Sequence, residues 1–414
     1  MNKFLSYLCI LPSVTFGIIP AEIFPWAFIK SLNNIKKLWF EYLILFLLFM
    51  PALIIGISAT GFKIETVRSA SSFINAIILF FLIIKYNETC LNRLIKVLKT
   101  ILFLQIGIGL FQFLIDLPIF DHFINFIVPR AKTSADFRGV SGLSSEPARQ
   151  ALEIVLIYST FITVSAHKYS RRKRSLIDLV IFTYLAFINK SVTGVGLFFI
   201  YALFTRFSFK SIIKLSLVSV IMVLFIKFLP DTIKDRNRFL ALAGDLANSN
   251  LNKTEFIIKQ SGFRIPSILT VYSRPTILGY GFGNWRLGIR ESLLNNQNLQ
   301  YKLTKSANQL ILGGVRPMSF SSGLILEGGL YLSISVLIML FLSIPIIKSA
   351  YFHSKYFANL ISKTIIFIIF SLLFIGTIGS PIPFICLGLL FKSKYQNYRF
   401  GIEKYVFTKK SIPK

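Results

Sequence analysis

Apolar stretches long enough to cross the roughly 30 Å of hydrocarbon in a bilayer recur from one end of this chain to the other. That recurrence decides the fold class before any motif is considered. Soluble domains solvate their surfaces with about a quarter of their residues charged, whereas here the charged share is 15% beside 54% hydrophobic residues, with a mean hydropathy of +0.67. A disordered chain needs low hydrophobicity, so it is excluded as well. What remains is an all-α, polytopic membrane helix bundle.

The stretches run over Phe4 to Ile29, then 38–57, 69–84, 94–114, 148–166, 176–189, 191–205, 212–229, 319–347, 364–378 and 380–391. Pro12, Pro20, Pro25 and Glu22 interrupt the first, which is either one long kinked span or two short ones. The total is therefore about 11–12 transmembrane helices. The pairs 176–205 and 364–391 read as tight hairpins with tips at Asn189-Lys190-Ser191 and Gly379-Ser380-Pro381. No cleavable signal peptide and no internal repeat is expected.

A net charge of +29 would suggest nucleic acid in a soluble protein, but in a membrane protein excess Lys and Arg orient the chain first. No nucleic-acid partner is expected. The densest cluster, Lys168, Arg171, Arg172, Lys173 and Arg174, belongs on the cytoplasmic side, and every second loop from it is basic too. The organisation that follows is N-terminal helices over 1–115, an outer loop over 116–147 and central helices over 148–230. A large outer loop over 231–318, C-terminal helices over 319–391 and a basic cytoplasmic tail over 392–414 complete it.

Charged groups that do chemistry in such a protein belong in outer loops, at the interface or in the bundle interior, because a lipid-facing charge costs several kcal/mol. The large loop is rich in Arg and Lys, among them Arg264, Arg274, Arg286 and Arg316, beside few acids. One reading is an anionic ligand such as a phosphate or pyrophosphate, for which Arg offers a planar donor fork; the other is a solvated loop against anionic headgroups. In the shorter loop, Phe137 to Gln150 ends where an apolar helix starts, with Pro147 suited to its first position and Glu146 to its N-cap. Gly139 and Gly142 would let that loop approach a ligand, and the helix N-terminus beside Arg138 favours an anion. Glu146, Arg149, Gln150 and Glu153 share one helix face, which should line a cavity; the plainer account is a capped helix with a Glu146/Arg149 pair.

Gly279, Gly281 and Gly283 alternate without the flanking strand and helix of a dinucleotide fold, so they read as a backbone turn near a ligand. Gly323, Gly328 and Gly329 read as sites of close helix packing. There is no DxD pair, P-loop, HExxH or GxSxG, and the three Cys (Cys9, Cys90, Cys386) are not grouped. No metal or cofactor is therefore expected.

Several of these segments together resemble bacterial membrane proteins of the O-antigen ligase and O-antigen polymerase (Wzy-type) superfamily. The matching pieces are the Arg-Gly-x-x-Gly-x-x-x-Glu-Pro segment at 138–147 and the tip Lys190-Ser191-Val192-Thr193-Gly194. Ser261-Gly262-Phe263-Arg264, followed by Pro275 and Gly279-Tyr280-Gly281-Phe282-Gly283, and then Glu327-Gly328-Gly329 complete the set. The resemblance implies a metal-independent glycosyltransferase of the bacterial cytoplasmic (inner) membrane, acting on oligosaccharide linked to undecaprenyl pyrophosphate. A chain-length regulator protein and membrane lipid are candidate partners. The ligases carry a His-Asn or similar pair eleven residues before the last Gly of the Glu-x-Gly element; here Met318 and Ser319 stand there. That favours a polymerase of O-antigen, capsule or exopolysaccharide over a ligase.

For that reaction Arg138 and Arg264 are assigned to the leaving pyrophosphate and Glu146 to the general base, with His122 as runner-up base or ordinary loop histidine. Arg130, Arg149, Arg274, Tyr280, Arg286 and Arg316 are the substrate-binding candidates, Tyr280 and Trp285 as surfaces on which sugar rings stack. The competing classes are a lipid-linked oligosaccharide flippase, for which paired halves and short loops would be usual, and a non-enzymatic assembly scaffold.

Overall fold

The computed structural model describes residues 3–16, 25–115, 118–128, 131, 139–206, 264–294, 319–342, 355–375 and 379–395. Every regular element among them is a helix. In chain order these are α1 (Lys3–Ile10), α2 (Pro25–Leu32), α3 (Ile35–Thr60), α4 (Ile64–Ile84) and α5 (Glu88–Leu114). Next come α6 (Pro118–Ile127), α7 (Pro147–Val164), α8 (Arg171–Thr183) and α9 (Val192–Arg206). The set closes with α10 (Arg264–Ser273), α11 (Trp285–Leu294), α12 (Phe320–Leu342), α13 (Lys355–Phe374) and α14 (Pro381–Tyr395).

Among the described residues four helices are long and apolar enough to cross a membrane: α3, α4, the part of α5 from Thr89 and the part of α12 to Leu340. Segments of α9, α13 and α14 are apolar but shorter. The first expected stretch forms two short helices, because α1 stops two residues before Pro12, and Pro25 opens α2 where its missing N–H costs nothing. The expected span at 212–229 lies outside the described residues. The expected loop over 116–147 is partly helical, since α6 occupies Pro118–Ile127, and the carbonyl of Ile127 accepts the N–H groups of Thr15 (3.0 Å) and Phe16 (3.1 Å).

Burial separates inner helices from outer ones. In α7 every residue from Gln150 to Val164 is buried, packed among α5, α9, α13 and α14. The α4 span is 72% buried, whereas that of α3 is only 22% buried and presents Trp39, Phe40, Phe46, Leu47 and Ile54 outward. A contiguous apolar face of that kind suits lipid and not water. Between them, aromatic contacts tie α4, α12 and α14: Phe73 meets Phe320 at 5.2 Å and Phe320 meets Phe384 at 4.7 Å between ring centroids.

The expected alternation of basic loops has a structural counterpart. Lys85, just after α4, donates to the Lys37 carbonyl at 2.8 Å and pairs with Glu41 at 2.6 Å. Lys392 in α14 donates to the carbonyl of Ile84 at 2.5 Å and to that of Tyr86. Three basic segments far apart in sequence thus meet at one end of the bundle, with the Lys392 ammonium on the carbonyls where α4 ends.

Candidate functional site

At the opening of α7 the expected cap forms in part. Pro147 takes the first helical position and Glu146 the extended N-cap geometry, its backbone carbonyl accepting from Arg149 (3.1 Å) and Gln150 (3.0 Å). The Glu146 side chain makes no capping bond and is exposed. The ion pair on this helix is not Glu146 with Arg149 but Arg149 Nε with Glu153 Oε1, at 3.4 Å. The physical reason is solvation: Glu146 keeps its water, whereas Glu153 is 2% exposed and a carboxylate at that depth needs a cation.

Around Glu153 lies a buried polar cluster, so Gln150 and Glu153 on the expected polar face of α7 meet packed polar side chains. Glu153 Oε2 accepts from Ser144 Oγ and, at 3.3 Å, from Gln105 Nε2. Gln105 Oε1 accepts the Leu143 N–H (3.1 Å), and Gln112 Oε1 accepts the Gly142 N–H (2.8 Å). Gln150 donates to the Gln105 carbonyl (3.0 Å) and to the Tyr184 hydroxyl (2.9 Å). From the tip after α8, Asn189 Nδ2 donates to Val140 O (2.9 Å), Pro147 O (3.0 Å) and Gln150 Oε1 (2.8 Å). Side-chain amides therefore serve the backbone of a non-helical loop buried within protein, as irregular chain at membrane depth requires.

Local backbone explains how Asn189 gets there. Beyond Thr183 the helix widens into one π turn over Tyr184–Ile188, closed by Asn189 N–H on the Tyr184 carbonyl at 2.9 Å. Such wide turns occur most often where a helix must re-aim a functional group. Gly139 and Gly142 both have positive φ (77° and 55°). What they approach is the chain itself: a Cβ on Gly139 would lie 2.2 Å from the Asn189 carbonyl oxygen, and one on Gly142 2.0 Å from Gln150 Nε2. Gln112 Nε2 and Asn189 Oδ1 are buried in this cluster without a hydrogen-bond partner among the described residues.

Asn189→Ala is expected to strip one donor from three buried acceptors, at about 1–3 kcal/mol for each one left bare. Unfolding of the purified protein in detergent measures this. A midpoint unchanged from wild type would show that Asn189 is not the keystone of the loop.

A second assembly seats the segment between α10 and α11. Inside α12, Gly329 has φ 75° and ψ −178°, which breaks the helix and exposes backbone groups on either side. The segment 276–281 fills the break. Tyr280 N–H donates to Leu326 O and Gly281 N–H to Glu327 O, both at 2.9 Å, while Leu330 and Tyr331 donate to Thr276 O (2.9 Å) and Ile277 O (3.0 Å). The expected turn near a ligand is thus a turn against other backbone, and Gly329 serves a break rather than close helix packing. Glycine is required because a Cβ on Gly279 would lie 2.5 Å from Gly329 N, and one on Gly281 2.3 Å from Gly56 N.

Phe282 then plugs into the core, wholly buried and stacked on Phe49 at 5.2 Å, with its N–H on Ala52 O (3.2 Å). Glu327, also wholly buried, accepts from Ser69 Oγ on α4 and from the Gly283 N–H (3.0 Å). Asn284 finishes the seat, accepting from Thr60 Oγ1 at 2.9 Å.

The candidate residues fall in two places. Glu146 and Arg149 stand at the mouth of α7. Arg264, Arg274, Tyr280 and Arg286 belong to the α10–α11 unit docked on α3, α4 and α12. Arg264 opens α10, and Arg274 is exposed just past its end. Tyr280 is half-buried with its ring beside Gly288, and the Arg286 guanidinium sits 5.2 Å over the Trp285 ring. His122 is exposed on α6. Arg130, Arg138 and Arg316 lie outside the described residues. Sequence reasoning passed over Gln105, Gln112, Ser144, Asn189 and the buried role of Glu327. The signal available was Gln105 and Gln112, seven apart on one face of an otherwise apolar span.

Fold and site together define a helical membrane protein in which a half-buried Arg149 pairs with a buried Glu153 beside a buried amide cluster. Comparison of the chain with protein-family models, curated proteins and solved structures finds no match.

Proposed function

We propose that the chain is a polysaccharide polymerase. It transfers a growing glycan from undecaprenyl pyrophosphate to the next lipid-linked repeat unit on the outer face of the bacterial cytoplasmic membrane. The observation that carries this reading is the Arg149 and Glu153 pair at the start of α7, held against a glycine loop within the bundle. Ionisable residues in such a place are costly and mark function by default, and a helix N-terminus beside Arg suits the phosphates of a lipid-linked donor.

In the proposed reaction an acceptor hydroxyl forms a new C–O bond at the anomeric carbon while the bond to pyrophosphate breaks. The hydroxyl proton passes to a carboxylate, for which the exposed Glu146 at the mouth of α7 is the candidate. The lipid pyrophosphate leaves with its charge balanced by arginines, Arg138 and Arg264 first, with Arg149 holding the donor. Arg130, Arg274, Arg286, Arg316 and Tyr280 are the remaining glycan and phosphate contacts in this proposal.

Arg138→Ala, Arg264→Ala and Glu146→Ala, made separately, are expected to abolish long chains while single repeats still reach the surface. Loss of one charge-stabilising donor lowers such rates about 10²–10³-fold. Banding of surface polysaccharide in a complemented deletion strain is the measurement. One capped repeat in place of a ladder supports a polymerase; a complete absence of surface repeats in the deletion strain points to a ligase or flippase and sinks the proposal.

A further inference from the structure

The outward side of α5 changes character along its length. Leu91, Leu94, Leu98 and Ile101 are buried on the inner side. Arg93, Lys96 and Lys99, three residues apart, lie opposite them and are all exposed. Further along the same stripe the exposed residues are apolar: Phe103, Leu110 and Leu114. The two parts adjoin, since the Lys99 ammonium lies 5.9 Å from the centre of the Phe103 ring.

The neighbours of α5 fix which end is which. Gln105 and Gln112 hold the loop that opens α7, so Leu114 is at the end of the bundle where Glu146 stands. The basic part is at the other end, where α4 gives way to α5 through Lys85 and Tyr86. At 1.5 Å per residue, about 22 Å of helix separates Lys99 from Leu114 and about 27 Å separates Lys96 from it. Leu114 is apolar and 74% exposed, so it lies in or at the edge of the hydrocarbon, which is roughly 30 Å thick. Lys96 and Lys99 are therefore rooted inside the opposite edge, and any tilt of the helix sets them deeper. Their stems carry the ammonium groups back only as far as the phosphates of the lipid. Cations that merely orient a chain stand in the loops between helices, as Lys168 does. A cation rooted on a lipid-facing helix is costly unless an anion meets it.

We propose that Arg93, Lys96 and Lys99 form a binding strip for anionic phospholipid, with the headgroup phosphate on the cations and an acyl chain along Phe103, Leu110 and Leu114. Phosphate is the matching anion because its oxygens accept from a guanidinium and from ammonium groups together. Neighbours three apart on a helix stand about 5–6 Å from each other. The bare cations therefore repel, and one phosphate between two of them turns repulsion into attraction. The acid of α5, Glu88, opens the helix more than a turn before Arg93 and more than two before Lys96. The strip is apart from the Arg149 site and does not depend on the polymerase reading.

The test reconstitutes the full chain in bilayers of zwitterionic phosphatidylcholine and adds traces of spin-labelled phosphatidylglycerol or spin-labelled phosphatidylcholine. The fraction of each label slowed by the protein gives their relative association. The expected result is a preference for phosphatidylglycerol of at least about threefold at low salt. It should fade as the Debye length shortens from about 10 Å at 0.1 M to about 3 Å at 1 M ionic strength. Arg93→Gln, Lys96→Gln and Lys99→Gln made together should cut the preference by at least about twofold. Lys63→Gln, which removes an exposed cation between α3 and α4 at the other end, should leave it unchanged. Equal association of the two lipids with wild type, a triple variant that keeps the full preference, or a Lys63→Gln variant that loses as much of it overturns the proposal. Should the triple variant fail to insert, Lys99→Gln alone decides by the same comparison.

Discussion

Gly281→Ala is expected to lower stability by about 2–6 kcal/mol, the sum of a strained left-handed backbone and an overpacked contact. Residue 281 has φ +82°, where an L side chain is disfavoured, and the added carbon would meet the Gly56 backbone nitrogen at 2.3 Å. Helical backbone near the end of α3 cannot swing aside as a flexible side chain would. The turn is expected to leave its seat, drawing Phe282 out from between Phe49 and Phe73. Gly196→Ala in α9 is the control, since nothing lies within 4 Å of its added carbon. There Ala should be neutral or gain about 0.5–1 kcal/mol from helix propensity. Unfolding of the two variants in one detergent gives the comparison, and equal midpoints would refute the splice.

Glu327→Ala is expected to have an effect of similar size by another route. The carboxylate is the acceptor for the buried Ser69 Oγ and for the half-buried Gly283 N–H. Each one left bare costs about 1–3 kcal/mol, and the cavity adds a further transfer penalty. Ser69→Ala removes only one donor and should cost less. In a double-mutant cycle the pair should couple by about 0.5–3 kcal/mol; strict additivity would mean that Glu327 acts elsewhere. If the proposed polymerase activity is present, Glu327→Ala should also shorten the polysaccharide ladder, because α10 and α11 would lose their anchor on α4 and α12.

How much of this could be read beforehand follows from the range of the interactions. The helices α3, α4 and α5, the hairpin tip at Asn189 and the Pro147 start of α7 are set by local hydropathy and capping, and their expected ranges match to within a turn or two. The same holds for the polar stripe of α7, read from its spacing. The break in α12 was not legible, because Glu-Gly-Gly inside an apolar run has the composition of a packing face. What opens it is a segment some fifty residues upstream that completes the hydrogen bonds. The choice of partner for Arg149 was not legible for a related reason: sequence spacing permits both Glu146 and Glu153, and only burial chooses between them. α6 was hidden by the prolines and charges of the 116–147 loop.

The splice between 276–281 and the broken helix also imposes an order of events during synthesis. As an uninterrupted apolar run α12 could enter the membrane at once, but the carbonyls bared at its break would be intolerable in hydrocarbon, at several kcal/mol each. The strand of chain that satisfies them is made before α12 emerges from the ribosome. Its groups are therefore waiting when α12 arrives, so the linear sequence of the chain is also its assembly schedule. Moving the 264–294 segment to the far side of α12 by circular permutation would keep every residue and reverse that schedule.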